Sequence, residues 1–178
     1  MNRLSIIRYL LYSLEIFITL LMQSVPYPVF ELYGAKALFL LPAAVTAAVF
    51  ENEVPAVIIA AVCGVLADIS YSGTIGLFSV MLTVGCFGVN IIFDRLFTER
   101  LITVMLVSGA VIIVLLLMHF LIYCVFARYS DLQRLFAGHC MPRTMHTLLA
   151  VPVFYYANRL ISGRTRRPAR KNTVRRWH

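Results

Sequence analysis

Two carboxyl side chains lie within apolar stretches of the sequence, where ionisable groups are rare. Glu15 is near the middle of residues 4–22, and Asp68 is near the end of residues 54–70. An ionised side chain at the centre of a membrane helix costs about 2.5–3.5 kcal/mol, so both residues are functional candidates. Glu15 suits a pair with a basic group of another helix, or the binding of a proton, a cation or a polar substrate; the plainer interpretation is a protonated or internally bonded carboxyl facing the other helices. Asp68, expected at the outer interface, is either functional or the cap that ends its helix.

Small residues share the predicted helix face of Asp68. Ala60, Gly64 and Asp68 follow one another every four residues, so they lie on one face and let another backbone approach closely. This spacing predicts that the carboxylate enters a helix contact or a cavity rather than lipid. Gly73 and Gly76 follow, and their conformational freedom suits a tight turn into the next apolar segment.

The remaining polar side chains favour helix contacts over catalysis. Four residues within or near the apolar segments have side chains that commonly form interhelical hydrogen bonds: His119, His146, Asn90 and Asn158. No pair of them has a spacing typical of metal chelation. The four cysteines, which also lack a metal-ligand spacing, are Cys63, Cys86, Cys124 and Cys140. There is no Ser/His/Asp or Cys/His arrangement, phosphate loop or nucleotide fingerprint, so we expect no enzyme, no metal and no cofactor. One less favoured hypothesis is an intramembrane enzyme that uses Glu15 and Asp68. The different depths expected of these two residues argue against a concerted acid/base pair.

The elements that must position these groups are membrane helices. Of the 178 residues, 61% are hydrophobic and 13% are charged, and the mean hydropathy is +0.84. Soluble domains have about 45–50% apolar and 25% charged residues. At about 20 residues per span, the chain has room for six spans and for no separate soluble domain. The expected fold class is therefore an all-α polytopic membrane protein with six transmembrane helices.

Hydropathy places the six segments at residues 4–22, 37–50, 54–70, 75–93, 101–126 and 144–161. No small-residue cleavage site follows the first segment, so we expect a retained helix rather than a signal peptide. Pro42 suits a helix start or a kink in the second segment, which also has a small-residue face at Ala43, Ala44, Ala47 and Ala48. The second and third segments are short and close together, so a single broken helix or a re-entrant hairpin is an alternative there.

Lysine and arginine predict the orientation, because cations near span ends are enriched on the cytoplasmic side. Eight of the sixteen lie in the last twenty residues, and six spans place twelve inside and four outside. We therefore expect both termini in the cytoplasm, a transmembrane domain over residues 1–161 and a basic tail over residues 162–178. The tail suits contact with anionic lipids, worth about 1 kcal/mol per cation, or with a cytoplasmic partner. No reading module accompanies it, so nucleic-acid binding is not expected.

Six residues form a pattern that resembles the bacterial rod shape-determining protein MreD family: Pro42, Glu51, Gly64, Asp68, Gly73 and Gly76. In length and hydropathy the resemblance covers essentially the whole chain, whereas in residues it is confined to positions 42–77. Glu15 belongs to no motif of the family. The basic tail is longer than the family leads us to expect, which leaves open an extra cytoplasmic contact.

The resemblance implies a non-enzymatic scaffold subunit of the machinery that builds the lateral cell wall, in the bacterial plasma (inner) membrane. Such a subunit is expected to bind MreC and to work with the MreB filament, RodA and a class B penicillin-binding protein. The resemblance also implies a fold similar to the substrate-binding subunits of energy-coupling-factor vitamin transporters. A substrate-binding subunit of such a transporter is therefore the second hypothesis for function, and a bound vitamin-like ligand would distinguish it from a scaffold.

Overall fold

The computed structural model describes residues 3–24, 31–32, 35–72, 76–95, 100–127 and 140–165. These residues contain six helices: α1 (Arg3–Ser24), α2 (Leu40–Phe50), α3 (Glu53–Ala67), α4 (Leu77–Arg95), α5 (Leu101–Ala127) and α6 (Met141–Thr165). A π-helical turn, Asp68–Ser72, extends α3. Two short antiparallel strands, β1 (Glu31–Leu32) and β2 (Ala35–Lys36), precede α2 and pair Glu31 with Lys36. For the described residues the expected all-α fold with six helices is confirmed, with these two-residue strands as a small addition, whereas the expectation that all six are transmembrane helices stays a prediction.

The helices differ in whether they are long enough to cross a membrane. Among the described residues, three stretches are both long and apolar enough: Ser5–Ser24, Glu53–Ser70 and Leu101–Ile122. Leu40–Phe50 and Leu77–Phe93 are shorter apolar helices. Since a helix rises about 1.5 Å per residue, α2 extends about 16 Å, roughly half of a hydrocarbon core about 30 Å thick. The helix α2 therefore cannot cross the apolar layer by itself.

The chain reverses direction between α2 and α3. Glu51 and Asn52 have extended backbone angles, and α3 begins at the next residue. The two helices then pack against each other along their lengths, which a continuous broken helix would not do. Residues 40–67 are thus a tight helical hairpin.

Helix α2 is the centre of the bundle. All eleven of its residues are buried, and it contacts α1, α3, α4, α5 and α6. Pro42 lies in its first turn, where a missing backbone N–H removes no helical hydrogen bond. Alanines such as Ala44 and Ala48, both fully buried, let the surrounding helices approach closely. The short helix can be this apolar on all sides because other helices cover it.

Helix α1 is amphipathic in the reverse sense to a helix of a soluble protein. Beside Ile16 and Leu20, which pack against the core, the side turned toward the bundle has six polar side chains: Ser5, Arg8, Tyr12, Glu15, Thr19 and Gln23. They recur every three or four residues and so form one stripe, which we call the polar stripe of α1. The exposed large side chains are all apolar or aromatic: Ile6, Ile7, Tyr9, Leu10, Leu14, Phe17, Ile18, Leu21 and Met22. Such a helix suits an apolar surrounding outside and polar contacts inside.

Contacts between helix ends show that neighbouring helices run in opposite directions. Arg8 lies against Glu51 at the end of α2, and the Gln23 side chain accepts a hydrogen bond from the Leu40 N–H at the start of α2, over 3.4 Å. The end of α3, at Asp68, meets the start of α4. The bundle therefore has a Glu51 end and an Asp68 end. Their polar groups are the candidate sites.

Candidate functional site

Asp68 clamps the first turn of α4. Its Oδ1 accepts a hydrogen bond from the Phe78 N–H over 2.9 Å, and its Oδ2 accepts bonds from the N–H groups of Gly76, over 2.9 Å, and Ser79, over 3.1 Å. The residue is fully buried. These donors have no partner within the helix, and the positive end of the helix dipole favours a carboxylate there. Asp68 thus caps the N-terminus of α4, the following helix, rather than the end of its own helix.

Two glycines make this clamp sterically possible. Gly64, one turn before Asp68, lies against the α4 backbone: a Cβ there would be 2.4 Å from the Ser79 Cα and 2.9 Å from the Ser79 N. Gly76 has a φ of +104°, a conformation that side chains with a Cβ rarely adopt. The two glycines therefore permit the close α3–α4 approach and the turn that starts α4.

An aromatic pair extends the Asp68 end to α5. The His119 ring stacks on the Phe78 ring, with centroids 4.3 Å apart and an interplanar angle of 15°. His119 also interacts electrostatically with Asp68. Three helices thus meet around one carboxylate, which suits a structural role because its oxygens already bind backbone donors.

The Glu51 end holds a second buried carboxylate. Arg8 Nε of α1 lies 3.3 Å from Glu51 Oε1, and the Glu51 side chain has no solvent exposure. Tyr12, one turn along the polar stripe, also interacts with Glu51. The amide of Asn90 in α4 donates to the carbonyl oxygens of Ala48, over 2.8 Å, and Glu51, over 2.7 Å. Glu51 and Asn90 together tie the end of α2 to α1 and α4.

A third polar contact joins α2 to α6. The Asn158 amide donates to Thr46 Oγ1 over 2.8 Å and to the Ala43 carbonyl oxygen over 3.5 Å. Thr46 in turn donates to the Pro42 carbonyl oxygen over 2.6 Å. Asn90 and Asn158 therefore donate interhelical hydrogen bonds, as the sequence predicted. Polar side chains of α1, α4 and α6 thus contact α2 or its C-terminal end.

Glu15 differs from the other two carboxylates. Its Oε1 is buried and accepts no hydrogen bond, and the neighbouring Thr19 hydroxyl donates to the Glu15 backbone carbonyl rather than to the carboxyl group. The residue as a whole is only partly buried. Within the described residues, no hydrogen-bond donor therefore reaches Glu15 Oε1.

The described family-like residues do not form one site. Pro42 and Glu51 lie at the two ends of α2, whereas Gly64, Asp68 and Gly76 lie together at the α3–α4 junction. Gly73 lies outside the described residues, as does the tail from residue 166 onward. Whether any of these positions binds a partner stays a prediction.

Sequence reasoning missed the role of Arg8. The orientation argument treats it only as one of the twelve inside cations, but it pairs with Glu51, which is 43 residues away in the chain. The spacing of Arg8, Tyr12 and Glu15 is helical, so a search for polar stripes in apolar helices would have detected this face. Its partner on α2 has no local signal in the sequence.

The described residues offer little for chemistry. They contain no group of three or more His, Cys, Asp and Glu side chains that could hold a metal ion. A cavity of about 450 Å³ opens between α4 and α5. It is lined by Val80, Met81, Val84, Gly85, Ala110, Val111, Val114 and Leu115. This lining has no side chain that would orient a polar ligand.

Comparison with known proteins identifies one family. A family model described as rod shape-determining protein MreD matches residues 4–160, which include both carboxylate ends and Glu15. No curated protein and no solved structure matches the chain. The expected resemblance to energy-coupling-factor subunits therefore stays a prediction.

Proposed function

The chain belongs to the rod shape-determining protein MreD family, and on this premise we propose that it is a non-enzymatic scaffold subunit of the bacterial cell-wall elongation complex. The family implies a role in rod shape determination and is a structural family of membrane proteins rather than a known enzyme family. The finer proposal is that this chain binds MreC and works with the MreB filament, RodA and a class B penicillin-binding protein.

The observation that supports a scaffold is the use of buried polar groups to hold helices together. Asp68 binds backbone N–H groups of α4, and Glu51 pairs with Arg8 of α1. A group already engaged in this way is not available to bind a substrate without a rearrangement. The cavity between α4 and α5 is apolar, so it does not favour the transport hypothesis, which needs a polar pocket.

We also propose that all six helices lie in the plasma (inner) membrane with both termini in the cytoplasm. The Glu51 end carries the start of α1, the end of α4, the start of α5 and the end of α6. Exposed cations at this end include Arg100 and Arg159. An excess of Lys and Arg is typical of the cytoplasmic side. The basic tail would then contact anionic lipids from the same side.

Co-purification from the native membrane tests the proposed function. The tagged chain is extracted in mild detergent, and the bound proteins and small molecules are identified by mass spectrometry. We expect a single-span wall-elongation protein to be recovered. An ATPase module or a vitamin-like ligand in its place would contradict the scaffold proposal.

Two matched glycine variants sharpen the experiment. Gly64→Leu inserts a side chain into the α4 backbone, whereas a Cβ at Gly88 meets no heavy atom within 4 Å. We expect Gly64→Leu to lose the partner and Gly88→Leu to retain it. Helix content and size-exclusion profiles of both variants show whether the loss comes from an altered helix contact or from complete unfolding.

A further inference from the structure

Helix α3 and its π-helical extension present one row of apolar side chains to the outside of the bundle. These side chains, between 42% and 70% exposed, are Val54, Ile58, Val62, Val65 and Ile69. They follow one another every three or four residues, so they share one face, which we call the outer row of α3. The other sides of the helix pack on α2 and α4. In a membrane, the outer row therefore faces lipid.

The outer row is short for a surface that crosses a membrane. It runs from Val54 to Ile69, which is 16 residues, or about 24 Å at about 1.5 Å per residue. Exposed polar residues follow at both ends: Asn52 and Glu53 before Val54, and Ser70 after Ile69. Since a hydrocarbon core is about 30 Å thick, the row is about 6 Å shorter than the layer that surrounds it.

The fold does not allow the outer row to lengthen. At one end, α3 begins directly after the turn from α2, so the preceding chain returns into the bundle. At the other end, Asp68 binds the first turn of α4. Tilting the helix would only reduce the thickness that it covers. Either the polar ends of the row enter the hydrocarbon, or the bilayer becomes thinner beside α3; thinning is favoured because its cost per Å is modest, whereas an ionised Glu53 in hydrocarbon is expensive.

The neighbouring helices show that this shortness is local. The apolar stretch Leu77–Phe93 of α4, which the Asp68 clamp joins to α3, has 17 residues, or about 26 Å. The outward face of α5 runs from Ile102 to Leu121, which is 20 residues, or about 30 Å. The bundle thus has a short side at α3 and α4, and a side at α5 that matches a typical bilayer.

We propose that the outer row of α3 thins the bilayer beside it and gathers phospholipids with short acyl chains. This inference rests on the proposed position of the helices in the plasma membrane, and it adds a lipid partner to the proposed scaffold. Short acyl chains fill a thin layer without being compressed, so they are enriched where the mismatch between helix and bilayer is largest. Lipids beside α5 need no such adjustment.

A second copy of the chain fits the outer row less well than lipid does. Helices in membranes associate through small residues that let two backbones approach closely. The outer row contains only valine and isoleucine, whereas the small residues Ala60 and Gly64 of α3 are buried inside the bundle. The row also has no polar side chain that would orient a partner helix. Its composition therefore suits acyl chains.

Quenching of tryptophan fluorescence by brominated lipids tests the proposal. The only tryptophan of the sequence is removed by Trp177→Phe, and Val62→Trp or Ile113→Trp is added to this background. Val62 lies in the middle of the outer row and Ile113 near the middle of α5; they are 46% and 38% exposed, so the two positions are matched in depth and exposure. The purified full-length chain is reconstituted into an equal mixture of short-chain and long-chain phosphatidylcholine with an average core about 30 Å thick. Either the short-chain or the long-chain lipid is brominated.

We expect short-chain lipid to quench Val62→Trp about two- to fivefold more than long-chain lipid does, and both lipids to quench Ile113→Trp equally. Equal quenching of Val62→Trp by the two lipids would overturn the proposal. So would a Val62→Trp fluorescence that neither lipid quenches while Ile113→Trp is quenched, because a second copy of the chain would then cover the outer row.

The proposed function fails independently of this result. If the wild-type chain co-purifies with a wall-elongation protein but Val62→Trp shows no lipid preference, the scaffold proposal stands and the lipid inference is wrong. If the preference is found but an ATPase module co-purifies instead, the lipid inference stands and the scaffold proposal is wrong. If neither tryptophan is quenched, the proposed membrane position and the lipid inference are both wrong.

Discussion

Replacing Asp68 with asparagine is the sharpest test of the α3–α4 clamp. The amide has nearly the shape of the carboxyl group, so packing in the fully buried site is preserved. It has only one acceptor oxygen, however. If that oxygen takes the position of Oδ2 and keeps the bonds to Gly76 and Ser79, the NH₂ group faces the Phe78 N–H. The charge-assisted hydrogen bond from the Phe78 N–H is then lost, and two N–H donors face each other.

The magnitude follows from these contacts. Losing a hydrogen bond to a charged group costs about 1.5–3 kcal/mol. Removing a negative charge from a helix N-terminus costs a further ~0.3–1 kcal/mol. We therefore expect Asp68→Asn to lower the free energy of unfolding by about 2–4 kcal/mol. The exposed control Glu53→Gln also removes a charge from the first turn of a helix, so it is expected to lower the free energy of unfolding by only about 0.3–1 kcal/mol.

The assay is reversible unfolding in mixed micelles. The purified chain is titrated with sodium dodecyl sulfate, helix content is followed by circular dichroism, and the wild type, Asp68→Asn and Glu53→Gln are compared at one pH. If Asp68→Asn falls within about 0.5 kcal/mol of the wild type, the carboxylate does not clamp α4 as described. If both variants lower the free energy of unfolding by the same amount, above about 0.5 kcal/mol, the loss of a negative charge rather than the local contacts accounts for the effect.

Three further variants test the same contacts by the same titration. Gly64→Ala places a Cβ 2.4 Å from the α4 backbone and should lower the free energy of unfolding by about 1–3 kcal/mol. Its control, Gly88→Ala, has open space around the new Cβ and should be neutral or stabilise the chain by about 0.5–1 kcal/mol. Equal effects of the two variants would contradict the close approach of α3 and α4. Gly76→Ala should cost about 1–3 kcal/mol because of its φ of +104°, and an unchanged transition would show that the turn is not strained by a side chain. A double-mutant cycle of Arg8→Gln and Glu51→Gln should give a coupling free energy of about 1–3 kcal/mol, and additive effects would exclude a stabilising ion pair.

The positions of the helices follow largely from the sequence. Hydropathy predicted segments at 4–22 and 101–126, and the structure has helices at Arg3–Ser24 and Leu101–Ala127. Apolar composition determines these lengths, and no tertiary information is needed. The spacing of Gly64 and Asp68 also predicted a shared helix face, because helical periodicity is a local property.

The arrangement around α2 does not follow from local patterns. Its alanines indicated a small face, but burial on every side depends on five other helices. The Arg8–Glu51 pair joins residues that are far apart in the chain, and a pairing of this kind has no periodicity. From sequence alone, one interpretation of Asp68 is the cap that ends its own helix, whereas its hydrogen bonds go to the next helix after a turn that only the three-dimensional path reveals.

The central position of α2 has a consequence for how the chain enters the membrane. A translating ribosome releases helices in order, and eleven apolar residues are too few for stable partition into lipid as an independent unit. The two-residue connection to α3 means that both helices leave the insertion machinery almost together, so they integrate as one hairpin. The innermost helix then acquires its remaining neighbours only after α4, α5 and α6 have been synthesised, which makes biogenesis of the core a late and cooperative event.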